Sequence, residues 1–232
     1  MKLHRFYLPN IDLTHEFWMD DERLFHQWSK VLRFEVGREL VLFNDKLEER
    51  LYRIERYGDN AVKLVLVTER EPQLPKREVY LCFSLLKKDK NDWVLQKATE
   101  LGVRHFIPLL TERTEKTGFD VERAEKIVIE ASEQCGRTDI PRVREPLTVE
   151  TLLKELKGKA ELFVAEQGSS DEIWKMKNEI GDMPTAVLIG PEGGWSDGEK
   201  QLFQDHQLKH FALSDFTLRA ETAAIAAATL LQ

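Results

Sequence analysis

The stretch Leu188–Ser196, LIGPEGGWS, and the later stretch Leu213–Ala223, LSDFTLRAETA, are the most informative parts of this chain. Each follows a short apolar run and precedes a helix-like run, which is where an α/β fold places a ligand. Glycines at such a position let a ligand lie against the backbone, because no Cβ stands in the way. The second stretch adds the charged side chains Arg219 and Glu221. The pattern predicts a site for a nucleotide-sized ligand beside charged reacting groups.

The glycine pattern favours a nucleoside held by backbone groups over a phosphate-bound nucleotide. Neither G-x-G-x-x-G after a strand nor the phosphate-binding G-K-[ST] occurs in the chain. The alternative is a tight strand-to-helix turn in front of a capped helix. That alternative explains Ser196 and Glu199 as a capping box, but it does not explain Pro191 or the pair Gly193–Gly194. Trp195, inside the same stretch, is predicted either to pack or to border the ligand.

Length and charge limit the possible classes of protein. The 232 residues allow two hydrophobic cores, and the net charge of −7 argues against a protein that coats nucleic acid by bulk attraction. Residues 151–232 carry 8 basic and 13 acidic side chains, whereas residues 1–150 carry 26 and 28, so local basic patches are possible there. Two distant cysteines, no signal-like start and no long apolar run predict a cytoplasmic protein without a membrane span.

The chain divides into two patterns. Residues 1–70 read as short strands with one helix over 21–32, which is typical of a small β-barrel. Residues 71–77, EPQLPKR, form a proline-containing, charged connector. From residue 78 to 232 strands and helices alternate, which predicts an α/β domain with a mostly parallel sheet covered by helices.

Several motifs resemble one known family. GPEGG at 190–194 and LRAETA at 218–223 look like the RsmE family, which comprises knotted SPOUT-class methyltransferases that methylate N3 of a uridine near the 3′ end of 16S ribosomal RNA. The likeness continues upstream and in order over nearly the whole chain, through RFY at 5–7, His26, VLR at 31–33, the run 96–103, Glu112-Arg113 and EQCGR at 133–137. The chain departs from the family where Ser214 and Phe216 stand, since the family usually has a glycine and a further arginine there.

The resemblance implies a fold and a cofactor. The expected fold is a SPOUT-type α/β domain with a trefoil knot near its C-terminal end, preceded by a PUA-like β-barrel that helps to hold RNA. The expected assembly is a homodimer, and the expected cofactor is S-adenosylmethionine. The residues expected to bind it are Ala165, Glu166, Leu188, Ile189, Gly190, Pro191, Glu192, Gly193, Gly194, Leu213, Ser214, Thr217, Leu218, Arg219, Thr222 and Ala223.

The chemistry implied by the resemblance assigns roles to charged residues. Uracil N3 carries a proton and is a poor nucleophile until the proton leaves, so Arg219 is expected to stabilise negative charge on the uracil oxygens. The alternative for Arg219 is a structural ion pair with Glu221 or Glu192. Either carboxylate is a candidate to accept the proton if its pKa is raised, and Glu221 is our catalytic candidate beside Arg219. Because N3 lies on the pairing edge, the target base must be unpaired or flipped out.

Local basic side chains are expected to contact the RNA. The candidates are Arg5, Arg33, Lys87, Lys90, Arg113 and Arg137, and the alternative for each is a solvated surface charge. Arg137 is favoured, because Gly136 frees the backbone for close approach. His206 and His210 have helical spacing but no third ligand nearby, so no metal site is predicted.

Three functions remain open from the sequence. The first is methylation of 16S rRNA in the small ribosomal subunit. The second is a SPOUT methyltransferase that acts on another RNA. The third is a non-catalytic RNA-binding dimer, which would not bind S-adenosylmethionine; the glycine stretches and Arg219 disfavour it.

Overall fold

The computed structural model describes residues 3–114, 118–169 and 181–232. These residues form two compact units, the first running to Leu74 and including Ser132–Ile140, the second comprising Pro75–Ala131 and Pro141–Gln232. The change of unit between Leu74 and Pro75 lies inside the connector at 71–77. The sequence did not predict that Ser132–Ile140 would join the first unit.

The first unit is built on one five-stranded sheet. Its strands are β1 (His4–Tyr7), β2 (Glu16–Met19), β3 (Glu39–Phe43), β4 (Glu49–Tyr57) and β5 (Val62–Arg70). Their order is β1-β3-β4-β5-β2, with β1 and β3 parallel and the other pairs antiparallel. In the described residues no ladder joins β1 to β2, so the sheet is open.

A short helical segment fills the core of this unit. Asp21 caps α1 (Glu22–His26) by accepting a hydrogen bond from the Leu24 backbone, and a π-helical turn, Gln27–Val31, follows directly. Leu24 and Trp28 are fully buried in the core. The single helix predicted over 21–32 is thus two segments, and the strand β2 was not predicted.

A buried carboxylate attaches the segment Ser132–Ile140 to the first unit. The Glu49 side chain has no exposed surface, and it accepts hydrogen bonds from Arg5 Nη1 at 2.7 Å, Arg70 Nε at 2.9 Å and Thr138 Oγ1 at 2.6 Å. Thr138 also exchanges hydrogen bonds with Gln73 in the connector. Since a buried charge is tolerated only when it is paired, this network explains why a distant segment belongs to the unit.

The second unit has the α/β architecture that the alternating pattern predicted. Its strands are β6 (Val79–Ser84), β7 (His105–Leu110), β8 (Arg142–Val143), β9 (Leu147–Thr148), β10 (Glu161–Ala165), β11 (Thr185–Ile189) and β12 (Lys209–Phe211). Its described helices are α2 (Lys88–Glu100), α3 (Val121–Cys135, of which the unit includes residues to Ala131), α4 (Val149–Leu156), α5 (Asp197–Asp205) and α6 (Ala220–Leu231).

The seven-stranded sheet is parallel throughout, in the order β12-β10-β11-β6-β7-β8, with β9 pairing with β7. All five residues of β11 are buried, as is usual for a central parallel strand covered on both faces. The chain first builds outward from β6 to β8 and then crosses to β10, and β11 inserts between β10 and β6. Such a change of direction is where open α/β sheets bind ligands.

Helices α5 and α6 follow the two strands β11 and β12. Ser196 and Glu199 form the predicted capping box at the start of α5. Helix α6 follows β12 at the edge of the sheet and packs on α2, β6 and β11 near its centre. Over the described part of the chain, no helix is both long and apolar enough to traverse a bilayer.

Candidate functional site

A cleft of about 390 Å³ opens at the carboxyl ends of the neighbouring strands β12, β10 and β11. Residues of both stretches, 188–196 and 213–223, line it. Of the sixteen residues predicted to bind the cofactor, the lining includes Ala165, Glu166, Ile189, Gly190, Pro191, Glu192, Gly193, Gly194, Leu213, Ser214, Thr217, Leu218 and Ala223. The other three lie beside it: Leu188 is buried in β11, and Arg219 and Thr222 are exposed at the start of α6.

The structure adds wall residues that the sequence did not single out. These are Gln167, Lys200, Phe216 and Ala220. Arg113, predicted as an RNA contact, and Trp195, predicted as a possible border of the ligand, also line the cleft. Lys200 lies one helical turn after the N-cap Ser196. The sequence could have predicted Lys200 as a wall residue, because the helix that carries it begins directly after the glycine stretch. Phe216 carried no such signal beyond its departure from the family pattern.

Gly190 and Trp195 are in close contact. A Cβ built on Gly190 would lie 2.9 Å from Trp195 Cε2, and the indole is 4% exposed. The ring meets Phe203 edge to face at 4.9 Å, and its Nε1 lies 3.4 Å from the carbonyl oxygen of Ala165. The glycine at 190 therefore has a packing reason, which is room for a buried indole under the cleft.

The remainder of this loop is held by hydrogen bonds. The Gly194 backbone has a φ of 71° and its N–H donates to the Pro191 carbonyl at 2.8 Å, which closes a turn. Arg113 Nη1 donates to the Gly193 carbonyl at 2.8 Å. A side chain that follows β7 thus fixes the loop that follows β11.

Glu166 contributes a carboxylate to the lining of the cleft. Glu166 Oε1 is 2.8 Å from Lys200 Nζ, and its Oε2 is 2.9 Å from His210 Nδ1. Burial raises the pKa of Glu166, but hydrogen bonds from Lys200 and His210 outweigh burial, so the pKa is lower than usual. The wall therefore presents a fixed anion beside a cation.

Lys90 from α2 joins the two loops electrostatically. Its Nζ lies 3.1 Å from Glu221 Oε1 and 3.7 Å from Glu192 Oε1. Burial raises the pKa of Glu221, but the backbone amide of its own helix start and the Lys90 ammonium lower it more. This direction is opposite to the raised pKa that proton acceptance by Glu221 was expected to need. Glu192 lines the cleft, whereas Glu221 does not.

Arg219 is left without the ion pairs that the sequence offered as its alternative role. It is exposed and sits at the N-cap of α6. Within the described ranges, no hydrogen bond or salt bridge joins its side chain to another residue. Its charge still acts on Glu221 through space and helps to lower the pKa of that carboxyl, while Lys90 makes the direct contacts to Glu221 and Glu192. A cation at a helix start adds to the positive end of the helix dipole, so the spot attracts an anion.

The six predicted RNA contacts fall into three groups. Arg33, Lys87 and Arg113 are exposed, and Arg33 borders a groove of about 360 Å³ with His4 and Arg38 in the first unit. Lys90 is engaged with the two carboxylates described above.

Arg137 and Arg5 are placed differently from the prediction. Arg137 is 6% exposed, and its Nε and Nη2 donate to Asp139 at 3.0 and 2.6 Å. Arg5 donates to Glu49 and to the Arg137 carbonyl. The expectation that these two guanidinium groups face RNA is therefore not supported, because they stabilise the attachment of Ser132–Ile140 to the first unit.

In the residues that the structure describes, no three His, Cys, Asp or Glu side chains come together as a metal site. His210 is bound to Glu166, and His206 Nδ1 lies 3.0 Å from the Leu202 carbonyl.

The fold and the cleft define an α/β protein with a small-molecule-sized site at the carboxyl ends of parallel strands, and comparison with known proteins specifies the family. The family model described as RNA methyltransferase domain matches residues 72–232, so the chain belongs to this family. A Rickettsia conorii protein named Ribosomal RNA small subunit methyltransferase E is 29% identical over 231 residues, covering 98% of this chain and 94% of that one. The protein of the same name from Bacillus subtilis is 28% identical, covering 85% and 82%.

Solved structures agree with this assignment. A Legionella pneumophila protein solved with bound SAM is 29% identical, with a TM-score of 0.86 over 100% of this chain and 98% of that one. A Neisseria gonorrhoeae structure named Ribosomal RNA small subunit methyltransferase E is 24% identical, covers 100% and 97%, and has a TM-score of 0.87, which shows the same fold. The resemblance to the RsmE family is thereby confirmed.

Proposed function

We propose that this chain transfers a methyl group from S-adenosylmethionine to N3 of a uridine in 16S rRNA of the small ribosomal subunit. One observation carries the proposal: the two stretches that resemble the family meet in a single cleft beside an exposed cation, Arg219, that has no ion pair among the described residues. Relatives along nearly the whole chain bear the name of a small-subunit rRNA methyltransferase, and the Legionella relative holds SAM.

The side chains of the cleft fit the chemistry of S-adenosylmethionine. Apolar walls from Ile189, Leu213 and Leu218 suit a purine ring, and the Glu166 carboxylate suits hydroxyl or ammonium donors. Lys200 offers a cation for a carboxylate. The volume of about 390 Å³ is within the usual range for small-molecule sites. When bound, this cofactor supplies an electrophilic methyl group on a positively charged sulfur.

The charged residues around the cleft have separate roles in charge stabilisation, proton acceptance and positioning. Arg219 holds the negative charge that grows on a uracil oxygen as the N3 proton leaves, because its charge is not neutralised by a salt bridge and the N-terminus of α6 reinforces it. Glu192 accepts the proton, since it is the one of the two candidate carboxylates that lines the cleft. Lys90 contacts both Glu192 and Glu221, and these two ion pairs fix the position of Glu192 relative to the start of α6. Bringing donor and acceptor together in one cleft supplies much of the rate.

RNA contacts come from exposed cations in both units. Arg33 and Lys87 are exposed, and Arg113 lies at the cleft itself. The target base enters unpaired, because pairing would cover N3. We place the reaction in the cytoplasm, where ribosomal subunits are found, and in a homodimer, as the family resemblance implies.

The finer features of the fold belong to the same proposal. A PUA-like barrel is supported by the core of the first unit, to which the edge strands β1 and β2 both contribute, through Phe6 and Met19. A trefoil knot is supported by the path of the C-terminal segment, which runs from the edge strand β12 back to α2 and the central strands β6 and β11.

Methyl transfer to defined RNAs tests the function. The purified chain is incubated with S-adenosylmethionine labelled in the methyl group and with small subunits from a strain that lacks this methyltransferase. We expect one methyl group per subunit, located at N3 of a uridine by nuclease digestion and mass spectrometry. Label on free transfer RNA alone would identify a different RNA substrate. A folded chain that does not bind S-adenosylmethionine in calorimetry would instead be a non-catalytic RNA-binding protein.

Two variants test the roles of the charged residues. Arg219→Ala is expected to lose about 100-fold or more in kcat, because one preorganised charge contact is removed, while cofactor affinity and unfolding stay as in the wild type. Glu192→Gln is expected to lose about 100-fold or more through loss of proton acceptance. Glu221→Gln is the matched comparison and is expected to lose much less; equal losses in the two glutamate variants would contradict the assignment of Glu192.

A further inference from the structure

Phe216 is a large apolar side chain in an unusual place. It lies in the loop between β12 and α6 and is 80% exposed, more than any other large hydrophobic residue in the described chain. An exposed aromatic ring forgoes the stabilisation that burial would provide. The ring nevertheless forms part of the wall of the cleft that we assign to the methyl donor.

A local hydrogen bond orders the backbone from which this ring projects. The Phe216 backbone N–H donates to Ser214 Oγ at 3.1 Å, which forms a compact local turn. The neighbours on either side, Asp215 and Thr217, are polar and exposed. A single ring in a polar rim is unlike the broad apolar patch that a protein partner covers. It has the size and shape to cover one flat ring.

The reaction requires a flat ring at this place. The acceptor nitrogen must approach the donated methyl group to about 3–3.5 Å, so the target base has to lie at the cleft that Phe216 borders. A base taken out of its stack loses contact on both faces, and RNA-modifying and RNA-binding proteins restore that contact with aromatic side chains. Arg219 is suited to the oxygen-bearing edge of the base, whereas an aromatic ring is suited to its face.

We propose that Phe216 stacks on the face of the target uracil and holds it at the mouth of the cleft. The proposal rests on the function proposed above, namely methyl transfer to a ring nitrogen of an RNA base. It makes Phe216 a substrate-binding residue whose contribution depends on aromaticity and not only on apolar character.

Variants at this one position test the proposal. Phe216→Ala and Phe216→Leu are expected to lower kcat/KM for small ribosomal subunits by about 5- to 150-fold, the range that loss of one base–aromatic stack produces. Phe216→Tyr keeps the ring and is expected to keep most of the activity. The dissociation constant of S-adenosylmethionine, measured by calorimetry without RNA, is expected to stay at the wild-type value in all three.

Asp215→Asn provides the matched control, because it alters the adjacent exposed side chain of the same loop, which does not line the cleft; wild-type kinetics are expected. Wild-type activity in Phe216→Ala, or full activity in Phe216→Leu, would overturn base stacking. A parallel loss of cofactor affinity would assign the ring to the cofactor, and a changed oligomeric state in Phe216→Ala would assign it to a second copy of the chain. If the wild-type chain itself transfers no methyl group to RNA, the proposed function and this inference both fall.

Discussion

Replacing Gly190 by alanine is the sharpest test of how the cleft is built. The added Cβ would lie 2.9 Å from Cε2, 3.1 Å from Nε1 and 3.2 Å from Cδ2 of Trp195. The contact is with the rigid indole and not with the end of a flexible side chain. The indole is buried and packs edge to face on the fully buried Phe203 at 4.9 Å. Either the ring or the loop after β11 must therefore move.

The cost of the Gly190→Ala change follows from this crowding. Overpacking a well-packed core costs about 1–3 kcal/mol, and displacing the indole also weakens an aromatic pair that contributes about 0.5–1.5 kcal/mol. Against this, alanine restricts the unfolded chain and offsets about 0.4–1 kcal/mol. We expect a net loss of about 1–3 kcal/mol in the free energy of unfolding. If the loop moves, each 1.4 kcal/mol by which the movement weakens the binding free energy of the cofactor lowers its affinity about tenfold.

Urea unfolding and calorimetry with S-adenosylmethionine measure both effects. Gly193→Ala is the matched control, because its Cβ would meet only Arg113 side-chain carbons, at 3.5 and 3.6 Å, which is ordinary contact. The control is expected to unfold within about 0.5 kcal/mol of the wild type, as surface substitutions usually do. If Gly190→Ala were as stable as Gly193→Ala, the close packing of Gly190 on Trp195 would not be what shapes the cleft.

Two further predictions concern charges. Burial raises the pKa of Glu49, but the hydrogen bonds that the carboxylate accepts lower the pKa more. The ionised Glu49 therefore stabilises the fold fully above pH 4.5, the ordinary pKa, and this stabilisation is lost as the pH falls through the lowered pKa of the folded state. Glu49→Gln is expected to lower the free energy of unfolding at pH 7 by about 1.5–3 kcal/mol and to flatten its decline in acid, measured by urea titrations from pH 7 to 3; an unchanged acid slope would contradict this. Lys90→Met leaves Glu192 and Glu221 free to attract Arg219, so kcat in single-turnover methylation is expected to fall about tenfold or more, and wild-type kcat would show that the lysine is dispensable.

Local sequence signals predicted the elements that depend on local order. The helices Val121–Cys135 and Ala220–Leu231 belong to the alternating pattern that the sequence showed, and their signal is strong because a long periodic or alanine-rich run leaves the backbone little choice. Strand Glu16–Met19 was missed, since four residues are too few to display a period. The helix predicted over 21–32 was incomplete because nothing local marks the change to a π-helical turn at Gln27.

The sequence by itself determined the two cleft-forming stretches and their kind of chemistry, since glycine, proline and capping residues act on their own few neighbours. It did not determine which charges neutralise one another. Lys90 reaches Glu221 across 131 positions of the chain, whereas Arg219, two positions from Glu221, is exposed without a salt bridge in the described chain. Arg137, which read as a surface group, is buried beside Asp139. Such pairings arise only when packing brings distant elements together, because a charge acts over a few ångströms of space regardless of its place in the sequence.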